Sequence, residues 1–234
     1  MYRFSCDVRL IPSQIVTLFP DETRHLTRVL RLGVGAEVEL VSGHGELARG
    51  VVLHVRGKQC QVRVDSVTEA AFPSKITICF GIPKAQALDF LIRRLTEVEV
   101  GAFQPLLSAH SLHPESWNSK RWLRVISEVG KQSQEIRFPK MGSPVELPHF
   151  LSDREKSRGL VVCDEKNRRA RPTLSAARDG YDLMIGPEGG WSEEELNLFS
   201  KNDAVPLGLG ENRLRCETAA LVATVLLKRA IGEL

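Results

Sequence analysis

The chain has 234 residues, of which 42% are hydrophobic and 26% are charged. This balance is typical of a globular protein and excludes a disordered, collagen-like or coiled-coil chain. The net charge of +3 is too small to indicate a nucleic-acid partner by itself. No apolar run approaches the roughly 20 residues that a membrane span needs, and the first residues show no secretory signal. We therefore expect a cytoplasmic protein without a membrane partner.

Cysteine and histidine usage argues against a metal site. The five cysteines are odd in number and include no Cys-x-x-Cys pair, so neither a disulfide framework nor structural zinc is expected. Cys79 and Cys163 lie in apolar runs and are interpreted as small core residues. Only His110 and His113 are close together, and the proline that follows them favours loop histidines over metal ligands.

The first seventy residues have the pattern of short strands joined by turns. Strands are predicted at 37–41, 47–55 and 61–67, and such closely spaced strands favour a small antiparallel β-barrel over residues 1–70. One helix is predicted at 21–30, with Asp21 as its N-cap. The segment 69–74 is the candidate linker.

From residue 75 onward, strands alternate with helices. Helices are predicted at 85–98, around 122–129 and at 218–231, the last capped by Thr218. The predicted strands are short apolar runs at 76–80, 103–107, 160–163, 183–185 and 205–209. This alternation predicts an α/β domain over 75–234, built on a parallel sheet with helices on both faces.

The first segment that carries chemistry runs from Asp182 to Trp191. A strand enters a glycine-rich turn, and Ser192 with Glu195 then forms a potential capping box. Glycines at such a junction let the backbone approach a ligand closely, although a simple strand-to-helix turn has the same composition. The segment is neither a Walker loop nor a GxGxxG motif, so a nucleotide phosphate is not the favoured ligand.

The second segment follows the last predicted strand, at 208–220. Two glycines, two arginines and two glutamates crowd a loop that we expect at the carboxyl end of the sheet, where ligands bind in open α/β folds. For this loop alone, pairing and capping by Arg215 and Glu217 is the favoured interpretation. Two such loops in one sheet favour a ligand site.

Together, these segments resemble a known family. The sequences IGPEGGWSEEE (185–195) and LGENRLRCETAAL (209–221) resemble the paired signature of the SPOUT class of methyltransferases. More narrowly, they resemble ribosomal RNA small subunit methyltransferase E, the 16S rRNA uridine-N3 methyltransferase family. The likeness covers nearly the whole chain, because His25–Arg31 with Gly33 and Gly35 is similar to the family's PUA-like RNA-binding barrel.

The resemblance implies a fold, a cofactor and partners. It implies a deep trefoil knot in the carboxy-terminal domain, one of the rare exceptions to unthreaded chains. It also implies S-adenosylmethionine (SAM) as the cofactor, a homodimer, and 16S rRNA in the small ribosomal subunit as the substrate.

The resemblance also implies residue roles. Arg215 is the first choice for stabilising negative charge on the uracil carbonyls. Glu188 or Glu217 would orient Arg215 or accept a proton, although turn and cap roles are as good an interpretation for both glutamates. No residue is assigned as the general base. The implied cofactor-binding residues are Val162, Cys163, Asp164, Ile185, Gly186, Pro187, Gly189, Gly190, Leu207, Leu209, Gly210 and Leu214. The implied RNA-binding residues are Arg3, His25, Arg28, Arg31, Arg94, Arg121, Lys131 and Gln132.

The chain departs from the family pattern at four positions of interest. Glu99 stands where the family usually has glycine, Lys131 and Glu135 reverse the usual charges, and Asn212 replaces the usual arginine. These departures leave two alternatives open: a SPOUT enzyme with another acceptor, such as a ribose 2′-hydroxyl, and a ribosome-binding or assembly factor without catalysis.

Overall fold

The structure, a computed structural model, describes residues 1–69, 74–112, 117–172, 174 and 179–234. The chain divides into two compact units, Met1–Pro73 with Ser127–Phe138, and Ser74–Ile126 with Pro139–Leu234. The first unit therefore takes in residues 127–138, beyond the predicted domain of 1–70. Most of the predicted linker, and His113, lie outside the described residues.

The first unit is built on a five-stranded sheet in the order β1-β3-β4-β5-β2. All neighbouring strands pair antiparallel except β1 and β3, which pair parallel. The amino-terminal antiparallel sheet is thus confirmed, and the parallel pair is the one difference. Parallel pairing of β1 with β3 is possible because a long crossover through β2 and a helix separates the two strands. The strands are β1 (Tyr2–Ser5), β2 (Ile15–Thr17), β3 (Glu37–Val41), β4 (Glu46–Arg56) and β5 (Gln59–Glu69).

The helix predicted near 21–30 is confirmed to within one residue at each end, but its predicted N-cap, Asp21, is wrong. The helix α1 spans Pro20–Arg24, and a π-helical turn, His25–Val29, follows it. The N-cap is Phe19, without a side-chain hydrogen bond. The ring of Pro20 presets the first helical residue, so the helix begins one residue earlier and Asp21 lies in the first turn, where its charge suits the helix dipole.

The second unit contains an all-parallel sheet, in the order β12-β10-β11-β6-β7-β8, with β9 paired to β7. This confirms the predicted α/β domain. The strands are β6 (Ile76–Gly81), β7 (Ala102–Leu107), β8 (Lys140–Met141), β9 (Val145–Glu146), β10 (Gly159–Val162), β11 (Tyr181–Ile185) and β12 (Val205–Pro206). The helices are α2 (Ala85–Glu97), α3 (Ser119–Ser133, whose residues from 127 onward belong to the first unit), α4 (Leu147–Asp153), α5 (Glu193–Lys201) and α6 (Cys216–Ile231).

The strand predicted at 205–209 is shorter in the structure. The N–H of Leu207 still donates to Val162 O, but the N–H of Gly208 donates to Ala170 O, outside the sheet. The chain therefore leaves the sheet before the first glycine of the loop. The deep knot stays a prediction.

A buried ion network ties the amino-terminal ends of the central strands together. The carboxylate of Asp182, 3% exposed, accepts from Nε of Arg154 at 3.1 Å and from Nε of Arg158 at 2.8 Å. Arg158 also donates to Lys75 O, Thr77 Oγ1 and Tyr181 O. The clamp joins β6, β10 and β11 at the edge opposite their carboxyl ends.

The helix α6 is hydrogen-bonded to the backbone at the carboxyl end of α2. Lys228, buried in α6, donates from Nζ to the carbonyl oxygens of Val98 and Glu99, just after α2. Within the described residues, no helix is long and apolar enough to cross a membrane.

Candidate active site

Three loops at the carboxyl ends of β10, β11 and β12 line one cavity with a volume of about 860 Å³. The loops contribute residues 163–168, 186–191 and 209–215, and the start of α2 contributes further residues. The carboxyl edge of a parallel sheet is the usual place for a ligand, because strand ends there open into loops whose backbone groups are not used by the sheet.

The turn after β11 depends on its glycines. Gly190 has a φ of +72°, a left-handed conformation, and its N–H donates to Pro187 O at 2.9 Å. A Cβ on Gly189 would lie 2.8 Å from His110 Cβ. The carbonyl oxygen of Gly190 lies 3.1 Å from His110 Nδ1. His110 therefore packs against this turn as a loop residue.

The capping box predicted after this turn is confirmed. Ser192 Oγ accepts from the N–H of Glu195, and the Glu195 carboxylate accepts from the N–H of Ser192. Two of the otherwise unpaired donors of α5 are satisfied in this way, which fixes the exit of the turn.

The loop after β12 lies directly against the segment that follows β10. A Cβ on Gly208 would lie 2.2 Å from Arg168 O, and Gly208 and Gly210 donate to Ala170 O and Arg168 O. Gly210 has a φ of +111°. Only glycines allow this close approach of two backbones.

Exposed ion pairs connect the loops around the cavity. Arg213 lies 2.7 Å from Glu165, Lys166 pairs with Glu193, and Arg169 pairs with Glu211. A single exposed pair contributes only about 0–1 kcal/mol, but each of these joins a residue of the post-β10 segment to another loop.

The structure brings most of the predicted cofactor-binding residues together. Val162, Ile185 and Leu207 do not line the cavity and are buried at the ends of their strands, behind it. The predicted residues that line the cavity are Cys163, Asp164, Gly186, Pro187, Gly189, Gly190, Leu209, Gly210 and Leu214.

The three candidate catalytic residues also line the cavity. Arg215 is exposed, and the described residues offer its guanidinium no ion pair, so the pairing with Glu217 considered from the sequence is not formed. Glu188 Oε1 accepts from the backbone N–H of Lys84 at 3.0 Å. Glu188 thereby links the turn after β11 to the start of α2.

The predicted cap by Thr218 is wrong. The helix α6 begins at Cys216, with Arg215 as an N-cap that makes no side-chain hydrogen bond. Cys216 and Ala220, four residues apart, are both buried on one face, so packing extends the helix by two residues at its start. The backbone of Arg215 is therefore part of the helix terminus, while its side chain remains available to the cavity.

Burial disfavours the thiolate form of both cysteines of the cavity. Burial raises the pKa of the Cys163 thiol to about 12. Burial does the same for Cys216, and the nearby carboxylates of Glu188 and Glu217 raise its pKa further, to about 12 in all. The thiolate is the reactive form of cysteine, so these environments do not suggest a covalent role for either residue.

The contribution of α2 to the cavity was not predicted from the sequence. Lys84, Gln86, Ala87 and Phe90 line the cavity because β6 lies beside β11 in the sheet, so the helix that follows β6 begins at the same edge. Trp191 also lines the cavity and packs edge-on against Phe199, with the ring centroids 4.9 Å apart. The signal for α2 was present in principle, because every parallel strand ends at this edge.

The predicted RNA-binding residues fall in both units. In the first, Arg3 pairs with Glu39 at 3.1 Å, and Lys131 Nζ lies 4.2 Å from the centre of the Phe19 ring. Arg28 and Arg31 are exposed, and the structure shows no ion pair or hydrogen bond of their side chains with any described residue.

The other predicted RNA-binding residues differ in how far they are engaged. His25 is exposed and contacts Phe4 edge-on, and Gln132 is exposed. In the second unit, Arg94 pairs with Glu97, and Arg121 lies 4.6 Å from the centre of the Trp122 ring.

Two further observations concern the departures from the family pattern. Glu135 is buried and accepts from Ser133 Oγ at 3.0 Å, so this charge reversal has an internal partner. Asn212 is exposed on the cavity.

No cluster of His, Cys, Asp or Glu that could hold a metal occurs in the described ranges.

Comparison with known proteins defines the class and then the family. Residues 70–228 match the model of an RNA methyltransferase domain, and residues 20–65 match that of an RNA methyltransferase PUA domain. The fold and the domain match together define an RNA methyltransferase. A ribosomal RNA small subunit methyltransferase E from Synechocystis is 30% identical over 233 residues, which cover 95% of this chain and 75% of the relative. The chain belongs to the ribosomal RNA small subunit methyltransferase E family.

Two solved structures are similar to this chain over nearly its whole length. A methyltransferase from Legionella pneumophila, in complex with SAM, is 27% identical with a TM-score of 0.71 and covers 97% of both chains. The small subunit methyltransferase E of Neisseria gonorrhoeae, bound to SAM, has a TM-score of 0.82 at 23% identity and covers 98% of this chain and 97% of its own. This second likeness supports the fold.

Proposed function

We propose that this protein transfers a methyl group from SAM to N3 of a uridine in the 16S rRNA of the small ribosomal subunit. One observation carries the proposal: in a member of this family, two glycine-bearing loops and an arginine without a described partner meet at one cavity. The cavity lies at the edge of the sheet where α/β proteins bind ligands.

The residues of the cavity fit SAM. The N–H groups of Gly189, Leu209 and Leu214 have no hydrogen-bond partner among the described residues, so they are free to recognise a heterocycle such as adenine. Gly190 and Gly210 have open space where a Cβ would stand, which leaves clearance for a ligand. Carboxylates at the cavity, including those of Glu188 and Glu217, suit the positive charges of a sulfonium and an ammonium group.

Methylation at N3 releases the N3 proton and places negative charge on the uracil, and the site must accommodate both. When bound, SAM supplies an activated methyl group, which moves to N3 as the S–CH₃ bond breaks and the N3–CH₃ bond forms. The N3 proton leaves to a base, and negative charge spreads over the two flanking carbonyl oxygens of the uracil. Holding the reactants in line supplies much of the acceleration.

We assign the stabilisation of that negative charge to Arg215. Its guanidinium is permanently charged, is exposed at the cavity, and has no described ion-pair partner that would need to be displaced. A donor aimed at charge that develops in the transition state is worth about 10²–10³ in kcat. The carboxylate of Glu188 holds the turn against the start of α2 through the N–H of Lys84, which favours a positioning role for Glu188. Of the two candidate glutamates, Glu217 is therefore assigned to accept the N3 proton.

The amino-terminal domain, 1–70, is assigned to RNA docking and the domain 75–234 to catalysis. Arg28 and Arg31, exposed and without described partners, are the strongest candidates for phosphate contacts. Arg3, His25, Lys131 and Gln132 accompany them. Arg94 and Arg121 stand in the catalytic domain.

We also propose a homodimer in the cytoplasm. The helix α6 leaves Val225 and Leu226 about 40% exposed, whereas its residues Ala220, Ala223 and Leu227 are buried. A second copy is the occupant that would cover them. Light scattering that gives only the monomer mass at micromolar concentration would contradict the dimer.

The decisive experiment uses small ribosomal subunits that lack the modification. They are incubated with labelled SAM, and the nucleosides of the product RNA are separated by mass spectrometry. We expect 3-methyluridine. A 2′-O-methylated nucleoside would indicate the ribose alternative, and SAM binding without transfer would indicate an assembly factor that has lost catalysis. Titration calorimetry without a heat of SAM binding would reject the cofactor itself.

A further inference from the structure

The helix α2 presents an aromatic ring that its own core does not use. Its buried face consists of Leu88, Leu91, Ile92 and Leu95, at helical spacing. Phe90 falls outside this stripe and is 42% exposed, yet it lines the cavity. Its place in the lining is what matters, because ligand cavities are lined mainly by hydrophobic and aromatic side chains and Phe90 is an aromatic ring that is open to this one.

Two polar side chains of α2, Arg94 and Gln86, lie on the same side of the helix as Phe90. The guanidinium carbon of Arg94 lies 5.6 Å from the ring centre, within the range of a cation–π contact. Arg94 is itself fixed by both carboxylate oxygens of Glu97, at 2.7 and 2.8 Å. Gln86, four residues before Phe90, is on the same side of α2 and also lines the cavity.

We infer that Phe90 is the stacking platform for the acceptor base, with the Gln86 amide beside it as a hydrogen-bonding group for the base edge. The inference rests on the proposed function and names the subsite of its second reactant. A base that reacts at a ring nitrogen must leave its stack in the RNA. An aromatic side chain in the site replaces the lost stacking and accepts any π-face.

Space and charge favour an RNA base over other occupants. The volume of about 860 Å³ is near the upper end of the roughly 300–1,000 Å³ of small-molecule pockets, which leaves room for a base beside a cofactor. Lys84 lines the same cavity, and its positive charge suits the phosphates next to the base. An adenine held by the backbone of the glycine loops would not need this ring.

The test is a double-mutant cycle between the ring and the base. The probe is a 16S rRNA fragment that contains the uridine identified by nucleoside mapping, made with either that uridine or an abasic residue at the same position. With SAM replaced by its demethylated product, the wild-type protein should bind the uridine RNA about 5- to 150-fold more tightly than the abasic RNA. For Phe90→Ala this ratio should fall at least about fivefold, because the alanine removes the stacking contact and leaves only the other contacts of the base, such as that of Gln86.

Two further variants separate stacking from packing. Phe90→Leu keeps an apolar side chain without a π-face and should behave as Phe90→Ala, whereas Phe90→Trp should restore the ratio. Ile15→Ala, which removes an exposed apolar side chain that does not line the cavity, should leave the ratio at its wild-type value.

Each other outcome overturns the inference. A Phe90→Ala protein that loses equal affinity for both RNAs would place the ring on a general docking surface. Weaker binding of the SAM product by calorimetry would place it in the cofactor site, and a change of mass in light scattering would place it at a contact between copies. Failure of the proposed function looks different, because the wild-type protein would then transfer no methyl group to uridine.

Discussion

The substitution Glu99→Gly should stabilise the protein, because Glu99 occupies a backbone position made for glycine. Its φ is +57°, and it follows the last turn of α2. The N–H of Glu99 donates to Thr96 O, and the N–H of Val100 donates to Leu95 O, five residues back. These two bonds form a Schellman motif, in which the residue at C′ is left-handed and usually glycine.

The magnitude follows from the geometry. A left-handed conformation costs a residue with a Cβ roughly 1–2 kcal/mol, and glycine avoids this cost. Glycine also has greater freedom in the unfolded chain, which offsets about 0.5–1 kcal/mol of the stabilisation. The Glu99 carboxylate has no partner among the described residues, and the contact from Lys228 is to its backbone oxygen, which glycine retains. We expect a net gain of about 0.5–1 kcal/mol in the free energy of unfolding, or about 2–3 °C in Tm.

Urea unfolding at fixed protein concentration measures this difference, and Glu99→Ala is its matched control. Alanine removes the same carboxylate but keeps the Cβ, so its stability should stay within about 0.5 kcal/mol of the wild type. If Glu99→Ala gains as much as Glu99→Gly, the effect comes from charge, and the argument from backbone conformation is refuted.

Three further outcomes are expected. Arg215→Ala should lower single-turnover kcat about 10²–10³-fold at saturating RNA and SAM while RNA affinity changes little; unchanged turnover in a folded variant would remove Arg215 from catalysis. Replacing Arg28 and Arg31 by alanine should weaken RNA binding similarly across sequences and flatten its salt dependence in filter-binding titrations, whereas a sequence-selective loss would point to base contacts. Asp182→Ala should cost about 3–5 kcal/mol in urea unfolding, because it leaves the buried charge of Arg154 uncompensated; a loss below about 1 kcal/mol would show that the buried network contributes no more than a surface pair.

Local patterns in the sequence were sufficient for the elements around the site. The apolar runs of β6, β10 and β11 and the helical spacing of α2 were read correctly, since a parallel strand buried on both faces is almost wholly apolar. The glycine-bearing segments 186–190 and 208–210 could be picked out because two such loops follow strands of the same sheet, where glycines let the backbone approach a ligand. The family likewise followed from these segments, and the comparisons confirm it.

Helix ends were predicted less well, because tertiary packing competes with local capping there. Thr218 has the side chain of a cap, but burial of Cys216 begins α6 earlier. Asp21 likewise loses the cap position to the geometry set by Pro20. The left-handed conformation of Glu99 had no signal in local composition, because such helix ends are recognised by glycine or asparagine; the only hint was that the family usually has glycine there.

The sequence by itself determined the chemistry of the loops, because residue type and spacing decide what a turn after a strand can do. Which loops share a cavity was decided only by the order of strands in the sheet. That order places β6 beside β11, and it brings Phe90 and Gln86 to the edge where Gly190, Gly210 and Arg215 lie. Contacts between residues a hundred positions apart arise from packing of whole elements, and no local pattern encodes them.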